Sequence, residues 1–423
     1  MHSNRRFPNV MFDASLRPEK AALAIIVMLL FLIFVFLFLT LTAQPAQGQT
    51  FTVIHTFTGA DGGNPIGSLT MDEAGNIYGT TTIGPGYFSE GSVFKLRKTN
   101  GEWTLVSLHN FLIRDGGDGQ APLSGVTVAP NGILYGTTQY GANYGTVFSL
   151  RLDANAASVA QSWKETILHF FTGLPGDGFT PNYGNVLLDR LGNIYGATFG
   201  GGVYGNGMVY QLTPSGSGWT ENIIYSFQDG GDPWAGLISD EAGNLYGTTT
   251  SGGAYDNGST VYELSPSASA WTEQILYSFE QDTDGALPGG LVLDQRGDLF
   301  GTTAVGGPNG GGTVFELTSF NGSWTFTVLY SFTGGPGPLG GVVMDASGNL
   351  YGSTVQEGAY GAGMVFKLTP SGGGWIYSDL HDFTGSDGDR PYGTLLMDNS
   401  GNLYGTTYEG GASGRGVVFE ITP

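Results

Sequence analysis

Cysteine is missing altogether from these 423 residues, and bases are scarce: 15 Lys and Arg stand against 36 Asp and Glu. The first absence removes disulfide frameworks, thiolate metal centres and lipidated-cysteine anchors. The second leaves a formal net charge of −21, which argues against nucleic acid, whose phosphates are held by Lys and Arg. A third absence is helical periodicity. After residue 50 no segment sustains a 3.6-residue apolar repeat with caps, so essentially no helix is expected there. No His-Glu-x-x-His and no Gly-x-x-x-x-Gly-Lys-Ser/Thr occurs, which leaves zincin and P-loop chemistry without support. Glycine, in contrast, is abundant at 73 residues, about 17% of the chain against a usual share of roughly 7%. It lacks the three-residue period of collagen, and with 40% hydrophobic and 13% aromatic residues the chain is expected to fold.

Residues 21–43 form 23 consecutive positions without a charge, preceded by Arg5, Arg6, Arg17 and Lys20 and only two acids, Asp13 and Glu19. Bases ahead of an apolar run keep the N-terminus in the cytoplasm and send the remainder across the membrane. The run is long enough to span a bilayer, while Ala46-Gln47-Gly48 suits signal peptidase. Residues 1–49 therefore read either as a signal peptide or as a signal anchor, a helical segment in both cases. The expected location of residues 50–423 is extracellular, periplasmic or membrane-anchored on the outside, with membrane contact only through the N-terminal segment.

Everything after residue 50 is one repeat written seven times. The phrase Gly-Asn-Leu-Tyr-Gly-Thr-Thr and its variants centre on Gly79, Gly136, Gly196, Gly247, Gly301, Gly352 and Gly405, with successive spacings of 57, 60, 51, 54, 51 and 53. About 20 residues earlier in each unit stands Pro65, Pro122, Pro181, Pro233, Pro288, Pro338 or Pro391. Each unit reads as four short strands separated by turn residues: A like GSLTMD, B like NIYGTTT, C like GSVFKL, and D a nine-residue segment from Trp to Phe. The A–B link opens on Asp72, Asp189, Asp240, Asp294, Asp345 or Asp398. There the Asp side chain is expected to bond its own backbone and the following Gly to take a positive φ. The strand-B Gly is expected to permit close approach of neighbouring sheets.

Four antiparallel strands every 50-odd residues describe a propeller blade. Blades are expected at about 68–111, 125–171, 184–227, 236–279, 289–332, 340–383 and 393–421. The last unit has no strand D, whereas Phe51–Phe57 reads as a strand D with no A, B or C before it. The N-terminal strand should therefore complete the seventh blade and remove two exposed sheet edges. The expectation is an all-β, seven-bladed propeller closed three-plus-one.

These repeats resemble the GloVer-type tandem repeat of bacterial exported "choice-of-anchor" proteins. The matching segments are GNIYGTT (75–81), GNLYGTTTSGGAYDNGSTVYEL (243–264), GNLYGSTVQEGAYGAGMVFKL (348–368) and GNLYGTTYEGGASGRGVVFEI (401–421). The resemblance covers nearly all of residues 51–423 and implies an exported, surface-type propeller. Some relatives carry a C-terminal sorting segment; here the N-terminal apolar run is the candidate anchor.

Candidate chemistry is sparse. His55, His109, His169 and His381 each stand two residues before the strand-D Phe, where other units carry Tyr225, Tyr277 and Tyr330. They read as amphipathic aromatics at blade edges, and four of them in four blades cannot share one metal unless strand D were innermost. In an up-and-down blade the B–C and D–A loops share one face of the disc. The D–A loops carry Asp282-Thr-Asp284-Gly285 and the pair Asp387 and Asp389. Alternate carboxylates of this kind open oxygen-ligand calcium loops, although Asp-Gly pairs are also ordinary turn formers. No cofactor is required; calcium is the one suggested. Trp234, Tyr392 and Arg390, with Tyr183, fall at the expected central mouth, and Tyr204, Tyr255 and Tyr360 on B–C loops. Aromatic platforms near a few polar groups suit ligand binding, while the competing reading makes them wedges between blades. The sequence thus points to a monomeric, non-catalytic exported module that binds glycan or protein through this loop face. The alternative is a polysaccharide lyase or hydrolase with acids at the mouth.

Overall fold

A computed structural model describes residues 49–423 except 87–88, 113–117, 142–143, 154–161, 182, 256–257 and 268–269. The expected signal or anchor segment lies outside the described residues, Gln49 apart. Among those residues every regular element is a strand, and no helix is long and apolar enough to cross a membrane.

The strands form seven antiparallel sheets, and the chain is a seven-bladed β-propeller. Blade four is representative: A is Ile238–Ser239, B Leu245–Thr249, C Thr260–Pro266 and D Trp271–Ser278, hydrogen-bonded in that order. The seventh blade is completed from the other end of the chain. The N-terminal strand Thr50–Thr56 pairs with Val417–Thr422, Phe51 opposite Ile421 and Val53 opposite Phe419. This strand also feeds two cores: Phe51 packs with the cluster around Phe383 and Phe419, and Phe57 and Ile54 with the one around Phe94 and Leu96.

The A–B hairpins that open on Asp are tied as their sequence implies. Asp345 Oδ1 accepts from the backbone N–H groups of Ser347 and Asn349, and Oδ2 accepts from the Asn349 amide and the Tyr351 hydroxyl. Gly348 takes φ +79° within that turn. The same Asp–Asn–Tyr arrangement recurs at Asp72, Asp189, Asp240 and Asp398.

Two expectations change. Strand A is only two residues long in every blade, because the glycines before it leave the ladder to meet the next blade backbone to backbone. A Cβ on Gly67 would lie 2.3 Å from the Gly125 nitrogen, and one on Gly184 2.1 Å from the Gly236 nitrogen. Secondly, the strand-B glycine does not serve the approach of sheets. It makes room for the strand-C ring directly opposite it in the same blade: a Cβ on Gly301 would meet Phe315 at 2.5 Å, and one on Gly247 the Tyr262 hydroxyl at 2.4 Å.

That ring is the centre of blade-to-blade packing. The strand-D Phe of each blade meets the strand-C ring of the next, from Phe57–Phe94 through Phe279–Phe315 to Phe383–Phe419, with centroids 5.1–5.4 Å apart. Each buried ring contributes about 1.5–3 kcal/mol through burial, with a further ~0.5–1.5 kcal/mol from aromatic pairing. Nearer the loop face, the residue before the recurrent Pro is left-handed in six blades: Asn64, Ala121, Thr180, Asp232, Leu287 and Arg390, φ 51–58°. Five of these donate their N–H to a backbone carbonyl of the preceding blade, as Ala121 does to Glu90 at 2.7 Å. Such backbone strain costs about 1–3 kcal/mol where it occurs. Its recurrence around the ring marks it as part of the blade latch.

Candidate functional site

The short A strands and the segments after each recurrent Pro surround the axis, and at the loop face they open into a cavity of about 410 Å³. Its wall is aromatic and aliphatic: Tyr183, Trp234, Tyr392 and Tyr408, with Ile66 and Leu339. Tyr183 and Trp234, from neighbouring blades, stack with centroids 4.3 Å apart and planes 23° from parallel, while Phe199 meets Trp234 edge to face at 6.1 Å. Tyr392 and Tyr408 meet edge to face at 5.5 Å. Burial pushes the Tyr183 hydroxyl above the usual phenol range, with further upward pressure from Tyr392, Tyr408 and Tyr140. The phenols therefore gather around one opening.

Among the described residues, no Asp, Glu, His, Lys or Arg lines the cavity. Its polar groups are side-chain and backbone dipoles, and the Asn185 Oδ1 atom is buried without a hydrogen-bond partner. Charge begins at the rim, where Arg390 Nη1 lies 3.1 Å from Glu409 Oε2 with both side chains over a third exposed. Nearby, burial holds Asp389 above its ordinary range and Glu409 pushes the same way, with Arg390 opposing.

Of the residues singled out from sequence, Tyr183, Trp234 and Tyr392 thus meet at the mouth, with Arg390 beside them. Tyr204, Tyr255 and Tyr360 do not line the cavity. All three are exposed on B–C loops, and the first two act electrostatically on the outer-strand residues Tyr225 and Tyr277. The four acids of the calcium reading belong to two separate loops. Asp284 accepts from the Tyr277 hydroxyl at 2.6 Å and Asp387 from His381, the Thr384 N–H and the Thr384 hydroxyl. Both carboxylates are engaged in turn contacts, while Asp282 is exposed.

The histidines lie on strand D, the outermost strand, and each meets a D–A loop carboxylate: His55–Asp61 and His381–Asp387 at 3.0 Å, His109–Asp118 at 3.3 Å and His169–Asp177 at 3.5 Å. Sequence reasoning missed two further acids, Glu165 and Glu221, which approach His109 and His169 at 3.6 Å from the next blade. Both stand two residues after the strand-D Trp. The available signal was a comparison of that position with the histidine position one repeat earlier.

The repeat model described as Gloeobacter/Verrucomicrobia repeat matches residues 40–167, 160–338 and 325–423. The chain belongs to this repeat family. Solved structures place the Gloeobacter/Verrucomicrobia repeat chain among propellers. The extracellular domain of BT4673 from B. thetaiotaomicron, proposed as a one-component system, is 14% identical with a TM-score of 0.54, over 88% of this chain and 42% of that one. PorZ, a bacterial surface component of the type-IX secretion system of Porphyromonas gingivalis, is 15% identical with a TM-score of 0.51, over 85% and 47%. A protein of Bacteroides uniformis described as a 6-phosphogluconolactonase is 14% identical with a TM-score of 0.48, over 74% and 83%. At these identities the likeness concerns the fold alone, and the repeat chain spans under half of the first two structures. No curated protein matches the sequence.

Proposed function

We propose that this chain is an exported, non-catalytic recognition module whose ligand is a neutral extracellular glycan, taken at the central mouth of the loop face. The observation that carries the reading is the cavity wall, aromatic and uncharged, with Ser68, Asn185 and Thr394 as its polar side chains. A sugar ring offers a C–H face that lies on aromatic surface and hydroxyls that need only a few fixed polar partners, and pockets of this make-up are typical of small-ligand sites. Export is supported by the apolar run at residues 21–43 and the bases ahead of it.

Glycoside hydrolysis commonly uses two carboxyl groups facing each other across the scissile bond, about 5–5.5 or 6.5–9.5 Å apart. Among the described residues no carboxyl group lines the cavity, which favours binding without cleavage. The test is titration of the full chain with a panel of neutral oligosaccharides, read by tryptophan fluorescence and calorimetry. Trp234→Ala and Tyr392→Ala should each weaken binding at least tenfold, about 1.4 kcal/mol, with Arg390→Ala costing less. Absence of binding across the panel would defeat the glycan reading in favour of a protein ligand. Release of shortened sugars on incubation would replace it with the enzymatic one.

A further inference from the structure

We propose that the propeller carries twin sites for a divalent first-row transition metal such as Zn²⁺. They lie at the outer edges of the blade 1/2 and blade 2/3 interfaces, built from His109, Asp118 and Glu165 and from His169, Asp177 and Glu221. In each trio the ligand atoms all lie within 4.8 Å of one another. Each takes its histidine from strand D of one blade, its Asp from the D–A loop that follows, and its Glu from strand D of the next blade.

The spacing is what a bound ion requires. With metal–nitrogen and metal–oxygen bonds of about 2.0–2.2 Å, two ligands at a near-tetrahedral angle stand about 3.3–3.6 Å apart. His109 Nε2 lies 3.3 Å from Asp118 Oδ1 and 3.6 Å from Glu165 Oε2, and His169 Nε2 lies 3.5 Å from Asp177 Oδ1 and 3.6 Å from Glu221 Oε1. The His109–Asp118 contact is a hydrogen bond, and the other three separations are long for one. Glu165 Oε1, His169 Nε2 and Glu221 Oε1 are all buried without a hydrogen-bond partner. Mixed imidazole and carboxylate donors select a transition metal over calcium, which takes oxygen alone. Three protein ligands leave a fourth position for water.

Four other interfaces supply the controls, because the same positions there satisfy themselves. At blades 3/4 the Tyr225 hydroxyl donates to Glu273 at 2.6 Å. At 4/5 Tyr277 stacks on Phe326, at 5/6 Tyr330 on Tyr377, and at 6/7 His381 on Phe51, with centroids 3.5–4.3 Å apart. Histidine faces glutamate only at 1/2 and 2/3, and only there do three ligands meet among the described residues.

The experiment is metal uptake by the chelator-stripped full chain, with Zn²⁺ followed by calorimetry and elemental analysis and Co²⁺ by its visible absorption. Two ions per chain are expected, one after Glu165→Gln or Glu221→Gln, and none after both, with His381→Ala still taking two. Thermal melts of the stripped variants check that each is folded, since Gln keeps the size of Glu. Failure of the wild-type chain to take up either ion would overturn the proposal. So would uptake unchanged in the folded double variant, which would place the ions elsewhere.

Discussion

The outer wall of this ring is built in two ways from one repeat. Between blades 4 and 7 neighbouring D strands meet through stacked rings, such as Tyr277 on Phe326 and Tyr330 on Tyr377. Between blades 1 and 3 the same positions hold His109 against Glu165 and His169 against Glu221. The aromatic interfaces bury apolar surface and need nothing further. The polar ones bury carboxylates beside other carboxylates, an arrangement that is costly unless every charge is answered. Beneath both kinds, the inner pairing of strand-D Phe with strand-C ring continues unchanged, Phe111–Phe148 and Phe279–Phe315 both at 5.2 Å. The fold is thus held by the inner rings, which frees the outer wall to differ from blade to blade.

The largest expected effect comes from breaking the aromatic side. Deleting Phe51–Phe57 removes the ring stacked on His381 and the Phe57 contact with Phe94. With three or four apolar side chains lost at about 1.5–3 kcal/mol each, stability should fall by several kcal/mol in denaturant unfolding. The two polar interfaces are untouched by this change, so any truncated protein that remains folded should keep its full Zn²⁺ uptake. A melt indistinguishable from that of the full chain would refute closure of the ring by this strand.

An intermediate effect is expected from converting one wall into the other. His169→Tyr with Glu221→Phe installs the blade 4/5 pair at blades 2/3. Replacing buried ionisable groups by well-packed rings is often neutral or stabilising, by about 1–4 kcal/mol. The metal-free double variant should therefore melt no lower than the wild type and should lose one ion of uptake. A large destabilisation would show that the two walls are not interchangeable.

The smallest effect should ignore the comparison altogether, since the A–B turns are alike on both sides of the ring. Burial alone would raise the carboxyls of Asp189 and Asp345. Hydrogen bonds from Asn193 or Asn349, from backbone N–H groups and from Tyr195 or Tyr351 outweigh it and hold both below the usual range. A depressed folded pKa contributes stability above the unfolded value of about 3.9 and loses it as pH falls through the folded value. Asp189→Ala and Asp345→Ala should each cost about 1 kcal/mol near neutrality, equally in the two blades, and the difference from wild type should shrink below pH 4.

Much of the fold was legible because the repeat states its own rules. The Asp-x-x-Gly-Asn turn, the absence of helix and the strand D displaced to the N-terminus all follow from local chemistry and from counting. The mouth was legible in part: Tyr183, Trp234 and Tyr392 follow a Pro whose place near the axis the repeat implied. The strand-B glycine was misread because only the antiparallel register puts Gly301 opposite Phe315. Tyr204 and Tyr255 were placed on the B–C loops as candidate ligand contacts, and they stand exposed there away from the cavity, because a loop's membership of a face does not fix its distance from the axis.

The His–Glu meetings show where sequence stops. By simple alternation, positions two and six after the strand-D Trp point to the same side of a sheet. Every C–D ladder, however, slips its register between them, as between Val209 and Tyr210, where Ile224 has no partner opposite. A bulge of this kind reverses the alternation beyond it. Glu165 therefore faces blade one while His169, four residues on in the same strand, faces blade three. The sequence by itself determined seven blades, their turns and their closure, because those depend on short-range geometry repeated in order. Which side chains face each other across the blades was decided only by the tertiary structure, because a single bulged residue sets the side to which each one points.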